Sequence, residues 1–341
     1  MVEIGSLDIE QSALLAPYLE QQGIISPGER FFSRSLTGGV SNRTVLVQRP
    51  SGEEFVLKQA LPQLRVEVEW FSDPSRVHRE AAGIRWLEKL LPSGHVPAFL
   101  FEDFENHVLG MTAVPEPHQN WKEMLLRGEI DEEHVRQFGQ LLGQLHRQAS
   151  EQETAVAREF ADDSFFESLR LEPYYAFTAG QIPQAAGFLN FLIAEPRRQK
   201  VTLVHGDYSP KNTLIHQEKL ILLDHEVIHF GDPAFDLGFS LTHLLSKAHH
   251  LPVHRAAFTQ AAAFYWSSYR RRLGDLAWTD GLEERAVRHT LGCLLARVAG
   301  RSPLEYMSVA ERQRQQLAVL ALMRKPPATM LALIEQFLEE L

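Results

Sequence analysis

Alternating and periodic apolar positions divide the chain into a strand-rich first third and a helix-rich remainder. After a short predicted helix over 12–22, apolar alternation predicts strands over 30–35, 44–49, 54–58, 96–104 and 107–113. One amphipathic helix interrupts this series at 73–91, where Asp73 can cap the helix and Pro74 suits its first turn. The pattern therefore predicts a mainly antiparallel sheet crossed by a single helix.

Beyond Pro115 and Pro117, which break the alternation, apolar residues recur mostly at helical spacing. Helices are predicted over 131–148, 187–193, 233–246, 256–272, 283–299, 309–322 and 329–341. We therefore predict an α+β fold class with two lobes. Residues 1–114 would form a small antiparallel β lobe with one helix, and residues 115–341 a larger, mainly helical lobe.

Within the helical region, two short predicted strands over 213–216 and 219–223 have polar residues at their ends. Folding this pair into a hairpin places Asn212 opposite Asp224, so that an amide oxygen and a carboxylate face the same point. Such hard oxygen ligands suit Mg²⁺. Asp207, on the loop before the first strand, could then reach the proton of a substrate hydroxyl. This arrangement indicates phosphoryl transfer; the alternative is a solvated hairpin with polar ends.

A second set of candidate residues lies in the strand-rich part. Gly38 and Gly39, between two predicted strands, allow backbone N–H groups to approach a phosphate closely. Ser41 and Asn42 could add side-chain donors. A glycine pair in a hairpin is more often only a turn, so this signal depends on the residues that follow it.

The residues that follow are Lys58, at the end of a strand, and Glu80, on the predicted helix. Glu80 lies on one helical stripe with Ile84, Leu87 and Leu91. A carboxylate on an apolar stripe requires a partner, because an unpaired buried charge is very unfavourable. We therefore predict that Lys58 pairs with Glu80; the alternative is a glutamate at the edge of the helix.

Composition limits the classes of partner. The 341 residues have a formal net charge of −10 and a pI near 5.8, which argues against a nucleic-acid partner. Cys293 is the single cysteine, so no intramolecular disulfide can form. The N-terminus lacks a secretory signal pattern, and no apolar run approaches 18 residues. We expect a cytoplasmic protein with no membrane partner, and leave a homodimer open.

The motifs together resemble the aminoglycoside phosphotransferase and choline kinase family of the protein-kinase-like fold. His205-Gly206-Asp207, followed five residues after the aspartate by Asn212, stands where protein kinases have His-Arg-Asp. Asp224-His225-Glu226 stands where they have Asp-Phe-Gly. The resemblance covers about residues 30–240. It implies a bilobal fold, ATP and Mg²⁺ as cofactors, and a small hydroxylated molecule as substrate.

The resemblance also implies a role for each motif residue. Asp207 would be the catalytic base, Asn212 and Asp224 would hold Mg²⁺, and Glu226 would be a second metal ligand. Lys58, held by Glu80, would contact the α- and β-phosphates. The remaining nucleotide contacts would come from Gly38, Gly39, Ser41 and Asn42 over the phosphates and from an interlobe hinge over 111–114, including Met111 and Ala113. His205 and Asp236 would stabilise the catalytic loop, and the role of Lys211 stays open.

The small lobe further resembles 5-methylthioribose kinases, through Lys58-Gln59-Ala60-Leu61-Pro62 and the residues 65–66, 70, 79–81, 95–97 and 110–111. A methylthioribose-like sugar is therefore the first candidate substrate, and Arg297 and Arg301 are candidate substrate ligands. The residues of the loop at 208–212 differ from those of the methylthioribose kinase family. Choline or homoserine and aminoglycosides stay open as acceptors, and the acidic net charge hints at a cationic one. A nucleotide-binding pseudokinase and a nucleotidyl transferase are the alternatives of other classes.

Overall fold

The structure, a computed structural model, describes residues 7–36, 39–65, 70–195 and 198–341. Gly38, one of the two predicted phosphate-binding glycines, lies outside the described residues, as does part of the segment that resembles methylthioribose kinases. None of the helices in these ranges combines the length and apolar character that crossing a bilayer requires.

The first third of the chain forms a five-stranded antiparallel sheet. Its strands are β1 (Phe32–Ser35), β2 (Asn42–Gln48), β3 (Glu54–Ala60), β4 (Phe99–Asp103) and β5 (Val108–Thr112). Their spatial order is β1-β2-β3-β5-β4, with every neighbouring pair antiparallel. The strand that contains Lys58 is therefore the central one.

Two helices cover the sheet, α1 (Ser12–Gln21) and α2 (Arg76–Leu90). Leu19 of α1 lies in one apolar cluster with Leu57 of β3. Ile84 of α2 lies in another apolar cluster with Met111 of β5. Because successive strand residues point to opposite faces, the residue after Leu57 points toward α2.

The rest of the chain is mainly helical around one large apolar core. Its α-helices are α3 (Trp121–Leu126), α4 (Glu132–Ser150), α5 (Glu153–Phe160), α6 (Ser164–Phe166), α7 (Phe177–Gln181), α8 (Ala186–Ala194), α9 (Ala234–His250), α10 (Arg255–Leu273), α11 (Leu282–Ala299), α12 (Val309–Arg324) and α13 (Met330–Glu339). Between α6 and α7, residues Glu167–Ala176 form a helix with π-type hydrogen bonding.

Short strands at the border between the two lobes position the loops of the site. They are β6 (Gln119–Asn120), β7 (Thr202–Val204), β8 (Thr213–His216), β9 (Lys219–Leu222) and β10 (His229–Gly231). β7 pairs antiparallel with β10, and β8 pairs antiparallel with both β6 and β9. The loop 205–212 therefore runs between two anchored strands, and residue 224 follows directly after the hairpin.

This architecture agrees with the predicted α+β fold class, an antiparallel sheet crossed by one helix and followed by helices. The predicted hairpin of β8 and β9 is confirmed, including its two-residue turn. The pattern did not predict α3, α5, α7 or the π-helix. The chain leaves β5 at Thr112, and the division at residue 114 stays a prediction.

Candidate active site

A buried carboxylate at the start of α9 fixes the loop that follows β7. Asp236 accepts hydrogen bonds from the backbone N–H groups of His205 at 2.7 Å and Gly206 at 2.8 Å. Gly206 has a φ of +76°, and a Cβ there would lie 2.9 Å from the carbonyl oxygen of Val227. Burial would raise the pKa of Asp236, but hydrogen bonding and charge from His146 hold that pKa below its ordinary value. Asp236 thus stays ionised and keeps the loop in one conformation.

Asp207 lies in this loop, with one carboxylate oxygen held by two side chains. Its Oδ2 accepts a 2.6 Å hydrogen bond from Nδ2 of Asn212 and forms a 2.8 Å ion pair with Arg170. Through Nε, Arg170 also donates to the carbonyl oxygen of Gly206 at 2.8 Å. Arg170 therefore connects the π-helix to the loop. Both contacts of the Asp207 carboxylate use Oδ2, the same one of its two acceptor oxygens.

The hairpin of β8 and β9 brings Asn212 and Asp224 together. The backbone N–H of Leu223 donates to the carbonyl oxygen of Asn212 at 2.9 Å, and Asn212 and Asp224 line one cleft. Asp224 has a φ of +66°, a left-handed conformation that is uncommon for a residue other than glycine and often occurs at functional sites. Burial would raise the pKa of Asp224, but Lys58 and Lys211 hold that pKa well below its usual range.

Lys58 connects the two lobes at this cleft. Its Nζ lies 2.6 Å from Oε1 of Glu80 and 3.0 Å from Oδ1 of Asp224. The predicted pairing of Lys58 with Glu80 is therefore present, and Glu80 is 1% exposed. Burial would lower the pKa of Lys58, but the two carboxylates raise it above its ordinary value, so the amine stays cationic. Burial raises the pKa of Glu80 although the lysine opposes this.

Glu226 and Asn42 have contacts other than the predicted ones. Oε2 of Glu226 accepts hydrogen bonds from Nε of Arg76 at 3.1 Å and from Nδ2 of Asn42 at 3.2 Å. Arg76 has no exposed surface, and it also donates to the carbonyl oxygens of Ser41 and Leu61. A buried guanidinium requires a carboxylate partner. Glu226 therefore neutralises Arg76 and binds Asn42 through the same oxygen, Oε2. The roles of Glu226 as a metal ligand and of Asn42 as a phosphate ligand stay predictions.

The cleft between the sheet and the helical lobe has a volume of about 560 Å³, within the usual range for small-molecule sites. It is lined from the sheet side by predicted nucleotide-binding residues, namely Gly39, Ser41, Asn42, Lys58, Glu80, Met111 and Ala113. Lys211, Asn212 and Asp224 line it from the helical lobe. The cleft therefore brings Asn212 and Asp224 together with the described members of the second set, and Asp207 is joined to it through its hydrogen bond with Asn212.

Arg297 and Arg301 are not held together at one place. Arg297 is mostly buried and donates to the hydroxyl of Tyr174 at 3.1 Å. Arg301 forms a 2.9 Å ion pair with Glu172, and its guanidinium lies 5.0 Å from the ring centroid of Phe177. The i,i+4 argument fails because α11 ends at Ala299, before Arg301. The predicted i,i+4 placement is therefore wrong, and Arg297 and Arg301 each stay candidate substrate ligands.

Sequence reasoning missed the two buried arginines of the site. Arg76 lies four residues before Glu80 on α2, so the same helical stripe that indicated Glu80 could have indicated Arg76. Arg170 had no such signal. It lies in a π-helix, whose five-residue hydrogen-bond spacing does not match the period by which amphipathic helices are recognised.

The family model described as "Phosphotransferase enzyme family" matches residues 34–272, well over half of the chain. The chain belongs to this family. The match confirms the resemblance to aminoglycoside phosphotransferases and choline kinases, and with it the prediction that the chain belongs to a phosphotransferase family. The matched span begins in β1 and ends in α10, so it includes every residue of the cleft described above.

Two curated relatives resemble this phosphotransferase over part of their length. Acyl-CoA dehydrogenase family member 10 of Mus musculus is 38% identical over 71 residues, which are 20% of this chain and 7% of that protein. Methylthioribose kinase of Pectobacterium atrosepticum is 24% identical over 266 residues, 69% of this chain and 65% of that protein. The chain thus spans less than two thirds of either curated relative.

Among solved structures, an amicoumacin kinase in complex with AMP-PNP, Ca²⁺ and Ami has a TM-score of 0.58 with this phosphotransferase. The two chains are 14% identical, and the similarity covers 94% of this chain and 98% of the other. At 14% identity, the similarity is evidence for a shared fold alone. The predicted bilobal protein-kinase-like fold is therefore confirmed over nearly the whole chain.

Proposed function

We propose that the chain is an ATP- and Mg²⁺-dependent kinase that phosphorylates a hydroxyl group of a small metabolite. The observation that carries this proposal is the convergence of Lys58, Asn212 and Asp224 on one interlobe cleft, with Asp207 bonded to Asn212. Phosphoryl transfer needs mainly positioning and charge neutralisation, and these residues supply both. The phosphotransferase family and the AMP-PNP and Ca²⁺ bound by the amicoumacin kinase of similar fold support it.

The donor set of the cleft fits Mg²⁺. Asn212 uses its Nδ2 toward Asp207, so the amide oxygen stays available. Asp224 uses Oδ1 toward Lys58, so Oδ2 stays available. An amide oxygen and a carboxylate oxygen are the hard ligands that Mg²⁺ takes while it keeps several waters and phosphate oxygens. When bound, the ion neutralises charge on the transferring phosphate.

Asp207 is the group that we assign as the base. Its Oδ2 is occupied by Arg170 and Asn212, which leaves Oδ1 to accept the proton of the attacking hydroxyl. The acceptor oxygen forms a bond to the γ-phosphorus of ATP while the bond from that phosphorus to the β–γ bridging oxygen breaks, and ADP leaves. Lys58 holds the donor phosphates in line for this displacement, oriented by Glu80.

A methylthioribose-like sugar is the first candidate acceptor, because the methylthioribose kinase relative matches over 266 residues. Choline or homoserine and aminoglycosides are the alternatives within the family. A pseudokinase would bind nucleotide without chemistry, but such proteins usually lack the base, the lysine or the metal carboxylate, and Asp207, Lys58 and Asp224 are all present.

Replacing Asp207 by asparagine tests the proposal. The isosteric D207N change removes the base, so we expect the turnover number to fall by about 10²- to 10⁴-fold in a coupled ADP-release assay. The assay would cover methylthioribose, ribose, choline, homoserine and an aminoglycoside. Binding of AMP-PNP with Mg²⁺, measured by calorimetry, should persist.

Asp275→Asn, on the exposed loop after α10, is the matched control and should retain full turnover. Turnover of D207N close to that of the wild type would exclude Asp207 as the base. Release of AMP instead of ADP would indicate nucleotidyl transfer and contradict the proposed reaction.

A further inference from the structure

A group of cationic and polar side chains lies in the helical lobe beyond Asp207. We call it the cation cluster and define it as His243 and Lys247 of α9, Arg297 of α11, and Tyr306. The ring of His243 packs edge-on against Phe239, one helical turn away, at 5.1 Å between centroids. Lys247 Nζ lies 5.4 Å from the ring centroid of Tyr306. The phosphoryl-transfer step proposed above uses none of these four side chains, although Arg297 is a candidate substrate ligand.

Lys247 is the most unusual member of the cation cluster. It is fully buried, and its Nζ donates to the carbonyl oxygen of His243 at 3.3 Å. Among the described residues no ion pair includes Lys247. Burial, Lys122 and Arg297 lower the pKa of Lys247 to about 7, against the opposing carboxylate of Glu305. A buried amine without a carboxylate is unfavourable, so folding stability alone does not explain a lysine here.

The other members also have polar atoms without partners. Within the described part of the chain, Nε of Arg297, Nε2 of His243 and the hydroxyl of Tyr306 are buried and make no hydrogen bond. Folded proteins rarely leave several buried polar atoms unsatisfied in one place, and such groups call for an explanation such as a bound ligand. Their shared property is the ability to donate to an anion.

The cation cluster adjoins the proposed base. The Arg170 guanidinium that binds Asp207 lies 5.9 Å from the ring centroid of Tyr174 and the same distance from that of Phe239. Tyr174 in turn receives the hydrogen bond from Arg297, so two side chains separate Arg297 from Asp207. On the cleft side, Lys122 lines the nucleotide cleft and forms an ion pair with Glu305.

We propose that the acceptor carries an anionic group, a carboxylate or a phosphate, which binds to Lys247, Arg297 and His243 while its hydroxyl group faces Asp207. This inference rests on the proposed function and specifies its substrate class. Among the acceptors named above it favours homoserine, which has a carboxylate, over methylthioribose, choline and aminoglycosides, which have no anionic group. Among the described residues, Glu305 is the single acid in the set of charged groups that act on Lys247, and its side chain is 62% exposed. An incoming anion would therefore replace a weak, solvent-screened counter-charge. The net charge of the whole protein is −10, which hinted at a cationic acceptor. The charged side chains of the cation cluster itself, Lys247 and Arg297, are basic.

The first experiment compares matched acceptors in the ADP-release assay, with the intact wild-type protein, ATP and Mg²⁺. The pairs are ribose with ribose 5-phosphate and glucose with gluconate, and choline is the cationic reference. We expect kcat/KM to be about tenfold or more higher for the anionic member, because a hydrogen bond to a charged group contributes about 1.5–3 kcal/mol. A preference for the phosphate or the carboxylate member identifies which anion is bound. ADP release that favours neutral or cationic acceptors would overturn the inference and leave the proposed function standing.

The second experiment changes Lys247 to methionine, which has a similar volume and no charge. We expect the ratio of kcat/KM between the anionic and neutral members to fall about tenfold, and the midpoint of thermal unfolding to rise, since an unpaired buried cation is removed. Lys247→Arg should retain the preference. Arg288→Gln is the matched control: Arg288 lies on α11 with Arg297, but it pairs with Glu284. A lower unfolding midpoint in K247M, with an unchanged ratio, would mean that Lys247 is structural and would refute the proposal.

A third measurement does not depend on turnover. With AMP-PNP and Mg²⁺ saturating the nucleotide cleft, inorganic phosphate should raise the unfolding midpoint of the wild type and have a smaller effect on K247M. Equal shifts in both proteins would contradict the anion site, even if no acceptor in the panel is phosphorylated. Absence of ADP release together with a lysine-dependent phosphate shift would count against the proposed reaction and support the anion site.

Discussion

At the scale of single residues, Lys58 is shared between two carboxylates, and under the proposed function this sharing should control how strongly Asp224 binds Mg²⁺. The amine lies closer to Glu80, at 2.6 Å, than to Asp224, at 3.0 Å. Because Glu80 is buried, its attraction for the amine acts through a medium of low dielectric. Glu80 therefore draws the amine away from Asp224 and leaves that carboxylate available to a metal ion.

We expect Glu80→Gln to raise the Mg²⁺ concentration at half-maximal rate by about tenfold, since a charge-assisted interaction of about 1.4 kcal/mol would shift from Glu80 to Asp224. Steady-state rates measured across a Mg²⁺ titration at saturating ATP test this. Glu88→Gln, at an exposed position of the same helix, should leave the Mg²⁺ requirement unchanged. Superimposable titrations for E80Q and the wild type would disprove the competition.

The site residues that could be predicted from the sequence are those placed by local residue spacing or by the need of a buried charge for a partner of opposite charge. The hairpin brought Asn212 to Asp224, and the buried Glu80 required Lys58. The contact of Glu226 with Arg76 could not be predicted, because Arg76 is 150 positions away in the chain. The contact of Arg170 with the loop spans 36 positions and depends on the π-helix. Contacts between positions so far apart produce no regular residue spacing in the sequence from which they could be predicted.

At the scale of elements, glycines set the distances between the helices that support the site. A Cβ on Gly139 of α4 would lie 2.6 Å from the carbonyl oxygen of Tyr265 in α10. A Cβ on Gly238 of α9 would lie 2.5 Å from the carbonyl carbon of His289 in α11. These distances are too short for any side chain, so the backbones of the two helix pairs are in direct contact. α9 is thereby fixed, and with it Asp236 and the loop 205–212 that Asp236 binds.

We expect Gly139→Ala to lower the free energy of unfolding by about 1–3 kcal/mol, because the methyl group must force α4 away from backbone atoms of α10. Gly187→Ala is the matched control, for which we expect the free energy of unfolding to change in the opposite direction. Gly187 lies in α8, where a Cβ would meet no described atom within 4 Å. Alanine there should increase the free energy of unfolding by up to about 1 kcal/mol through helix propensity. Urea unfolding of both variants checks this, and equal signs would contradict the packing argument.

Most long helices could be predicted because their apolar residues recur at helical spacing. The helices that were missed do not show this recurrence. α4, α10, α11 and α12 begin and end within two residues of the predicted bounds. Residues 153–181 form α5, α6, the π-helix and α7 in sequence, and Pro173 lies inside the π-helix. A proline and a change of helical period remove the signals by which a helix is recognised. The π-helix supplies Arg170, so the least predictable element contributes a contact to Asp207.

At the scale of the whole molecule, charged contacts join the two lobes across the cleft. Lys58 of the sheet binds Asp224 of the helical lobe, and Arg76 of α2 binds Glu226. The Arg76 pair is buried on both sides, whereas surface pairs contribute little. Breaking such a pair from one side leaves an uncompensated buried charge. The stability of each lobe is therefore coupled to that of the other through Arg76 and Glu226.

We expect Arg76→Met to lower the free energy of unfolding by about 3–5 kcal/mol, because Glu226 keeps its charge and loses its cation. In calorimetry, we expect the variant to unfold in two resolved transitions and the wild type in one, since the variant loses a buried ion pair that links the lobes. Arg85→Met, on the same helix, is the control; its ion pair with Glu102 is partly exposed, and we expect a loss of only about 1 kcal/mol.

The double variant Arg76→Met with Glu226→Leu separates charge from packing. If the loss in R76M comes from the unpaired carboxylate, an apolar pair of similar volume should recover much of the lost free energy of unfolding. It should also restore a single unfolding transition. If Glu226 of the wild type only neutralises Arg76, the Mg²⁺ requirement of the double variant should equal that of the wild type. A double variant that is stable but needs far more Mg²⁺ would mean that Glu226 also acts as a metal ligand, as the sequence predicted.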